Sequence, residues 1–326
     1  MSKRINPTGR AIFLLMVLSF MLMQVSCIFD SPSAVPGYPS KVDFSIPFEF
    51  VGTLSMCECT CVQDLALIIA GDNIVLVDIA CGDLISVFNT GVEIRDLGDT
   101  DVNGYGYVLT DSLLYPVDLV GECLDPPLNI GSGAKFISIS VVDGTAWIVH
   151  ENDCLTKVDL LTHEIFSIPS KLLDDCQGIA ADQNGDVIFL AGGSRMVIAA
   201  FDTETWTETG SCSVPGDVIS LFPGPPGYIC ALVEGSNELW YIKKENCELY
   251  KMITFPVVPT TAASMPDGSY AYATCENIGL IIVAESGQIE HRTLEFGHPQ
   301  SIDINSDGQR AVICSAEYET VYILKK

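Results

Sequence analysis

Six turn glycines recur through this chain at an almost constant step. They are Gly104, Gly144, Gly185, Gly227, Gly268 and Gly308, with successive gaps of 40, 41, 42, 41 and 40 residues. Asn103, Asp143, Asn184, Asp267 and Asp307 precede five of them. Asn-Gly and Asp-Gly are strong hairpin signals, because both residues tolerate the positive φ that tight turns require. The clearest unit runs from Gly297 to Cys314: a short apolar alternation, an Asp-Gly turn and a second apolar strand. Extending the step backward lands near Gln63-Asp64, a seventh and degenerate unit. A second marker keeps the same register. Asp78, Asp118, Asp159 and Asp202 each close an apolar strand, as in Leu76-Val77-Asp78 and Lys157-Val158-Asp159. The fifth and sixth units lack this Asp.

A period of about 40–45 residues with four short strands per unit is the signature of a β-propeller. Each unit is a small twisted sheet that cannot bury both faces alone, and stacking around an axis buries them. The fold class is therefore all-β, a seven-bladed propeller of four-stranded antiparallel blades. With strands a to d running from the axis outward, the a-strands are expected near 57–62, 96–100, 136–141, 178–181, 218–222, 260–264 and 300–304. Strands b and c follow the turn, as in Thr145–His150 and Leu155–Asp159, and d follows them, as in Glu164–Ser167. The last unit ends at Tyr322-Ile323-Leu324 and lacks a d-strand. Val42, Phe44, Ile46, Phe48 and Phe50 alternate with Asp43, Ser45, Pro47 and Glu49, which predicts a strand with one apolar face. This segment is expected to close the ring as the outer strand of the last blade, a position where Pro47 is tolerated.

Three regions follow: a signal peptide over 1–26, a tether over 27–40 and the propeller over 41–326. Lys3, Arg4 and Arg10 form a basic n-region, and Ala11 to Val25 is an apolar run of signal-peptide length, short for a membrane span. It ends at Val25-Ser26-Cys27, which resembles a bacterial lipobox with Gln24 where that motif prefers Leu. This implies lipidation of Cys27 and a membrane-anchored, periplasmic or surface location. The alternatives are an uncleaved anchor, or plain secretion with Cys27 as a thiol. Residues 28–40 are rich in Pro and Ser and read as an extended tether.

The whole chain carries 16 basic and 42 acidic side chains. Residues 1–26 hold three of the basic ones and none of the acidic, so the remainder has 13 against 42, a net −29. Such a surface repels phosphates, which argues against charge-driven binding of nucleic acid or anionic membrane and favours cations or basic partners; the plain reading is solubility in an exposed compartment. Membrane contact is expected through the lipid alone, and the domain is expected to be a monomer.

Candidate chemistry is sparse. Asp303-x-Asn305-x-Asp307-Gly308 and Asp99-x-Asp101-x-Asn103-Gly104 match the start of a calcium loop. The closing Glu is absent, since its place falls on Cys314 and Thr110. Both also sit at the a–b turn, where Asp-Gly serves the backbone, so turn formation is the expected role and calcium binding a weak one. No other cofactor is expected. Of 13 cysteines, setting aside Cys27 leaves an even number, which in an exported protein favours disulfides. Cys154 at a b–c turn and Cys176 on a d–a connection share one face of the third unit and form the candidate pair. Cys57-x-Cys59-x-Cys61 places three sulfurs on one strand face without zinc-knuckle spacing. His150 and His298 are expected on the b–c and d–a face, with Glu151, Asp153, Asp174 and Asp175 on the same rim. No nucleophile motif or phosphate loop is present, and catalytic residues are not identifiable.

Pro266-Asp267-Gly268-Ser269-Tyr270-Ala271-Tyr272-Ala273-Thr274-Cys275-Glu276-Asn277 resembles the YVTN-type repeat of extracytoplasmic propellers. The unit from His298 to Val312, and Asp202-Thr203-Glu204-Thr205 at a c–d turn, resemble it too. The resemblance covers about 63–324 and is specific in the last two repeats. It implies a seven-bladed surface or periplasmic propeller in a family that spans binding modules and relatives of lactonases. WD-repeat and quinone-cofactor propellers fit worse, because both need regular tryptophans and the chain has three. The expected function is a binding or scaffold module for a protein or small-molecule ligand, with a lactonase-like hydrolase as the alternative. His, Arg and carboxylates converging on the channel mouth would favour the hydrolase; Ser, Thr and apolar lining would favour binding.

Overall fold

The computed structural model describes residues 41–47 and 59–326, apart from 63, 102, 169–171, 183, 193–195, 276–277, 294–295, 298, 316 and 319. The signal segment, the tether and Phe48 to Phe50 lie outside the described residues. Seven antiparallel sheets make up the fold, and the described residues contain no helix.

Blade 1 is β2 (Cys59–Val62), β3 (Leu65–Ala70), β4 (Asn73–Asp78) and β5 (Asp83–Asn89), after the N-terminal strand β1 (Lys41–Pro47). Blade 2 is β6 (Ile94–Gly98), β7 (Tyr105–Thr110) and β8 (Leu113–Asp118), with its outer strand split into β9 (Cys123–Leu124) and β10 (Leu128–Asn129). Blade 3 is β11 (Ala134–Ser140), β12 (Thr145–His150), β13 (Leu155–Asp159) and β14 (Ile165–Ile168). Blade 4 is β15 (Cys176–Ala181), β16 (Val187–Gly192), β17 (Val197–Asp202) and β18 (Glu208–Ser213). Blade 5 is β19 (Val218–Pro223), β20 (Tyr228–Val233), β21 (Glu238–Lys243) and β22 (Leu249–Thr254). Blade 6 is β23 (Thr261–Ser264), β24 (Tyr270–Cys275), β25 (Gly279–Ala284) and β26 (Ile289–Thr293). Blade 7 is β27 (Pro299–Ile304), β28 (Arg310–Ser315) and β29 (Thr320–Lys325), and β1 supplies its fourth strand.

The expected closure is present: β1 pairs antiparallel with β29, with Ile46 opposite Val321 and Pro47 opposite Thr320. The strict alternation read from 42 to 50 is interrupted, because the register shifts between Val42, opposite Leu324, and Phe44, opposite Ile323. A bulge of this kind adds a residue and bends an edge strand. A second departure lies in blade 2. Pro126-Pro127 falls where the d-strand should run, and proline has no N–H to donate to the ladder, so β9 and β10 flank the break.

Apolar side chains form seven clusters, one per blade–blade interface. Ile68, Val75 and Val77 of blade 1 meet Val312, Val321 and Ile323 of blade 7. The alternate residues Leu67, Ile69, Ile74 and Leu76 face the other way, against Val108, Val117 and Leu119 of blade 2. Because both faces of every sheet are covered, the b- and c-strands are continuously apolar rather than alternating, as for other sheets buried on two sides.

The Asp marker has a structural cause. Oδ1 of Asp78, Asp118, Asp159 and Asp202 accepts from the backbone N–H groups two and three residues on, at 2.6–3.1 Å. The residue four places after each marker has positive φ: Gly82, Glu122, His163 and Trp206, and likewise Cys247 after Lys243. The residue following each c-strand donates its N–H to an a–b turn carbonyl, from Ile79 to Asp64 at 2.7 Å through Lys326 to Gln309 at 3.0 Å. The a–b and c–d turns therefore share one face of the ring.

Candidate functional site in the central channel

The inner strands surround a cavity of about 760 Å³. Its described lining comes from β6, β11, β15, β19, β23 and β27 and the turns that follow them, with Lys244 added from the turn after β21. These strands latch to one another through side chains. The Asp96 carboxylate accepts from the Ile137 N–H at 2.7 Å, Ser138 Oγ from the Ala181 N–H at 2.9 Å, and Gln177 Oε1 from the Val218 N–H at 3.0 Å. Three different residue types do the same job, so no shared letter in the sequence revealed it.

Asp99 and Asp303 each stand five residues before a turn glycine, in blades 2 and 7, and both line the channel. Ser138, Ser220, Thr261, Ser301 and Ser306 add hydroxyls, and Phe136, Ile179 and Phe222 add apolar surface. Lys244 is the one basic residue among the described lining residues, which include no His or Arg. It also lines a neighbouring groove of about 500 Å³ with Asp182, Asp186 and Tyr228. Burial lowers the Lys244 pKa, against the opposing field of Asp182.

The calcium-like loops are folded as turns. Asp101 is 7% exposed, and its Oδ1 accepts from the N–H groups of Asn103 at 2.9 Å and Tyr105 at 3.0 Å. Its Oδ2 accepts from the Tyr107 hydroxyl at 2.9 Å and the Asn103 side-chain amide at 3.3 Å. Burial and then the Asp101 charge drive the Tyr107 phenol pKa upward. Asn305 Oδ1 accepts from the Gln309 and Arg310 N–H groups at 3.1 and 2.9 Å, and Asp307 Oδ1 from the Gln309 N–H at 2.8 Å. The oxygens at these positions are aimed at local donors. Among the described residues no group of three His, Cys, Asp or Glu side chains is disposed to hold a metal ion.

His150 ends β12 beside the b–c turn, but it is buried, with Nδ1 3.1 Å from the Ser132 carbonyl and Nε2 2.9 Å from Thr156 Oγ1. It ties a loop to the sheet. His298 lies outside the described residues. Asp153 Oδ1 accepts from the Cys176 N–H at 2.9 Å, which confirms that the b–c turn and the d–a connection meet. Cys154 and Cys176 share that rim as free thiols. The Cys176 thiol turns into the blade 3–4 core, 3.7 Å from the Leu173 carbonyl, and burial raises its pKa to about 12. Glu151, Asp174 and Asp175 are exposed. Cys27 and Cys57 lie outside the described residues; Cys59 and Cys61 are on β2.

Sequence reading also missed the left-handed residue of the c–d turns, which at Trp206 and Cys247 reaches back to the preceding blade. Adding four to each Asp marker would have found it. The Trp206 ring packs edge-on against Trp147 of blade 3, with centroids 5.7 Å apart and planes at 71°.

No protein-family profile matches the chain, and no curated protein matches it. Among solved structures it is similar to the β-propeller domain of Cps50 (Swd1) from Myceliophteria thermophila, with a TM-score of 0.72 at 12% identity over 87% of this chain and 100% of that one. It is also similar to a chain of the Mitotic Checkpoint Complex, with a TM-score of 0.70 at 10% identity over 93% of this chain and 98% of that one. At these identities the likeness establishes the fold: the chain is a seven-bladed β-propeller.

Proposed function

We propose that the chain is an exported, lipid-anchored propeller of the YVTN type that binds a basic partner, a Lys- or Arg-rich peptide segment, at its central channel. The carrying observation is the channel lining. Asp99 and Asp303 recur at one repeat position among hydroxyls and apolar side chains. The net charge of −29 left after residues 1–26 draws cations toward that mouth. Propellers serve widely as platforms for protein contacts, and one structural neighbour is a member of a protein complex. The export reading rests on Lys3, Arg4 and Arg10, the apolar run to Val25, and Cys27.

Calorimetry with a short Lys/Arg-rich peptide tests the binding. The expected result is a salt-sensitive isotherm that weakens about tenfold or more in Asp99→Asn/Asp303→Asn, since each lost charge-assisted contact is worth about 1.5–3 kcal/mol. Unchanged affinity in that double variant would remove the channel from the account.

A further inference from the structure

The c–d turn of blade 5 lies against the outer strands of blade 4 and brings two thiols together. Gly210 on β18 has no side chain where a Cβ would stand 2.6 Å from the Asn246 carbonyl oxygen, so the turn seats directly on that strand. The next residue, Cys247, occupies the left-handed position of the turn, φ 55°, and donates its N–H to the Lys243 carbonyl at 3.0 Å. This is the position held one blade earlier by Trp206, which also reaches the preceding blade. The Cys247 thiol is fully buried, 3.3 Å from the Ile198 carbonyl oxygen. Ile198 on β17 pairs in register with Cys212 on β18. Cys212 and Cys247 belong to one apolar cluster between the two blades.

We propose that Cys212 and Cys247 form a disulfide that staples blade 4 to blade 5. Its formation and function do not depend on what the channel binds. Cys212 is the half-buried member and Cys247 the enclosed one. The neighbouring Cys247 thiol lowers the Cys212 pKa, whereas Cys212 and then burial raise that of Cys247. The oxidant is a low-molecular-weight disulfide of the oxidised-glutathione class. The Cys212 thiolate attacks one of its sulfurs, which forms a mixed disulfide and releases one thiolate. The Cys247 thiol then loses its proton and attacks Sγ of Cys212, which expels the second thiolate. Two protons leave the protein, and the two electrons end on the reduced oxidant. The two sulfurs start from one apolar cluster, on elements that already pack together.

The test is peptide mapping of the purified full chain after incubation with oxidised glutathione, alkylation of remaining thiols and tryptic digestion without reductant. Cleavage after Arg195, Lys243, Lys244 and Lys251 releases Met196–Lys243, with Cys212 and Cys230, and Glu245–Lys251, with Cys247. The two peptides should run as one linked species that separates on reduction. The link should survive Cys230→Ser and vanish in Cys212→Ser, where Glu245–Lys251 appears alkylated. The oxidised wild type should melt about 5–10 °C above the reduced form. Alkylated Cys247 in the oxidised wild type, or a link that persists in Cys212→Ser, would overturn the assignment.

Discussion

Ile46 is the residue through which the N-terminal strand enters the core, and truncating it should show how much the ring depends on its closure. Its side chain is 8% exposed and belongs to the cluster that joins Val75 and Val77 of blade 1 to Val312, Val321 and Ile323 of blade 7. Burying an Ile is worth about 1.5–3 kcal/mol, and Ile→Ala in a core costs about 2–5 kcal/mol once the cavity is included. Its place at the outer end of the cluster favours the lower part of that range, so about 2–3 kcal/mol is expected for Ile46→Ala. In a domain of this size that is a fall of about 5–10 °C in melting temperature. Ser45, opposite Tyr322 and exposed, is the control, and Ser45→Ala should stay within about 0.5 kcal/mol. Deleting residues 41–50 should cost more than Ile46→Ala, because it also leaves the β29 edge unpaired, whereas deleting 28–40 should do little. Urea unfolding followed by intrinsic fluorescence reads all four. Equal, small effects of Ile46→Ala and Ser45→Ala, or of the two deletions, would refute closure as a source of stability.

Three further outcomes are expected. The Thr162 N–H holds the Asp159 carboxyl below its usual range, and the Thr205 hydroxyl does so for Asp202. Carboxylates with depressed folded-state pKa values contribute stability that is full above about pH 4 and disappears as pH falls through those lowered values. The gap in urea midpoint between wild type and Asp159→Ala should therefore narrow between about pH 5 and pH 2; a gap that widens on acidification contradicts the assignment. Calcium at millimolar concentration should raise the melting temperature by no more than about 1–2 °C, because a site near half-saturation gains only about 0.4 kcal/mol; a micromolar calorimetric isotherm abolished by Asp99→Ala or Asp303→Ala would show true metal sites. Bacterial expression with a labelled fatty acid should label wild type and not Cys27→Ala, and label retained in the variant would end the lipid-anchor reading.

The architecture was legible because a propeller repeats its backbone needs. The a–b turns of blades 2 to 7 ask for a residue at positive φ, so glycine recurs at Gly104, Gly144, Gly185, Gly227, Gly268 and Gly308. Each c–d turn offers two N–H groups that Asp satisfies, which explains Asp78, Asp118, Asp159 and Asp202. In blade 5 Lys243 stands at the marker position, and the turn still closes through the Cys247 N–H on the Lys243 carbonyl at 3.0 Å. The channel was less legible. Asp99 and Asp303 stood out as metal-loop starts, yet their shared position on the channel wall follows only from the ring. His150 attracted a functional reading from its place on a turn, but its ring is spent on Ser132 and Thr156. The Cys212–Cys247 approach joins residues about 35 apart across two blades, and nothing in their local sequence predicts it.

The central claim is that a basic partner enters the channel, and photo-crosslinking tests it most directly. A Lys/Arg-rich peptide that carries a benzophenone should label tryptic fragments containing the inner strands, with sites near Asp99, Phe222 and Asp303, and excess unlabelled peptide should suppress them. Labelling confined to the outer strands, such as Phe166 on β14 or Tyr250 on β22, would place the partner on the rim and contradict the account.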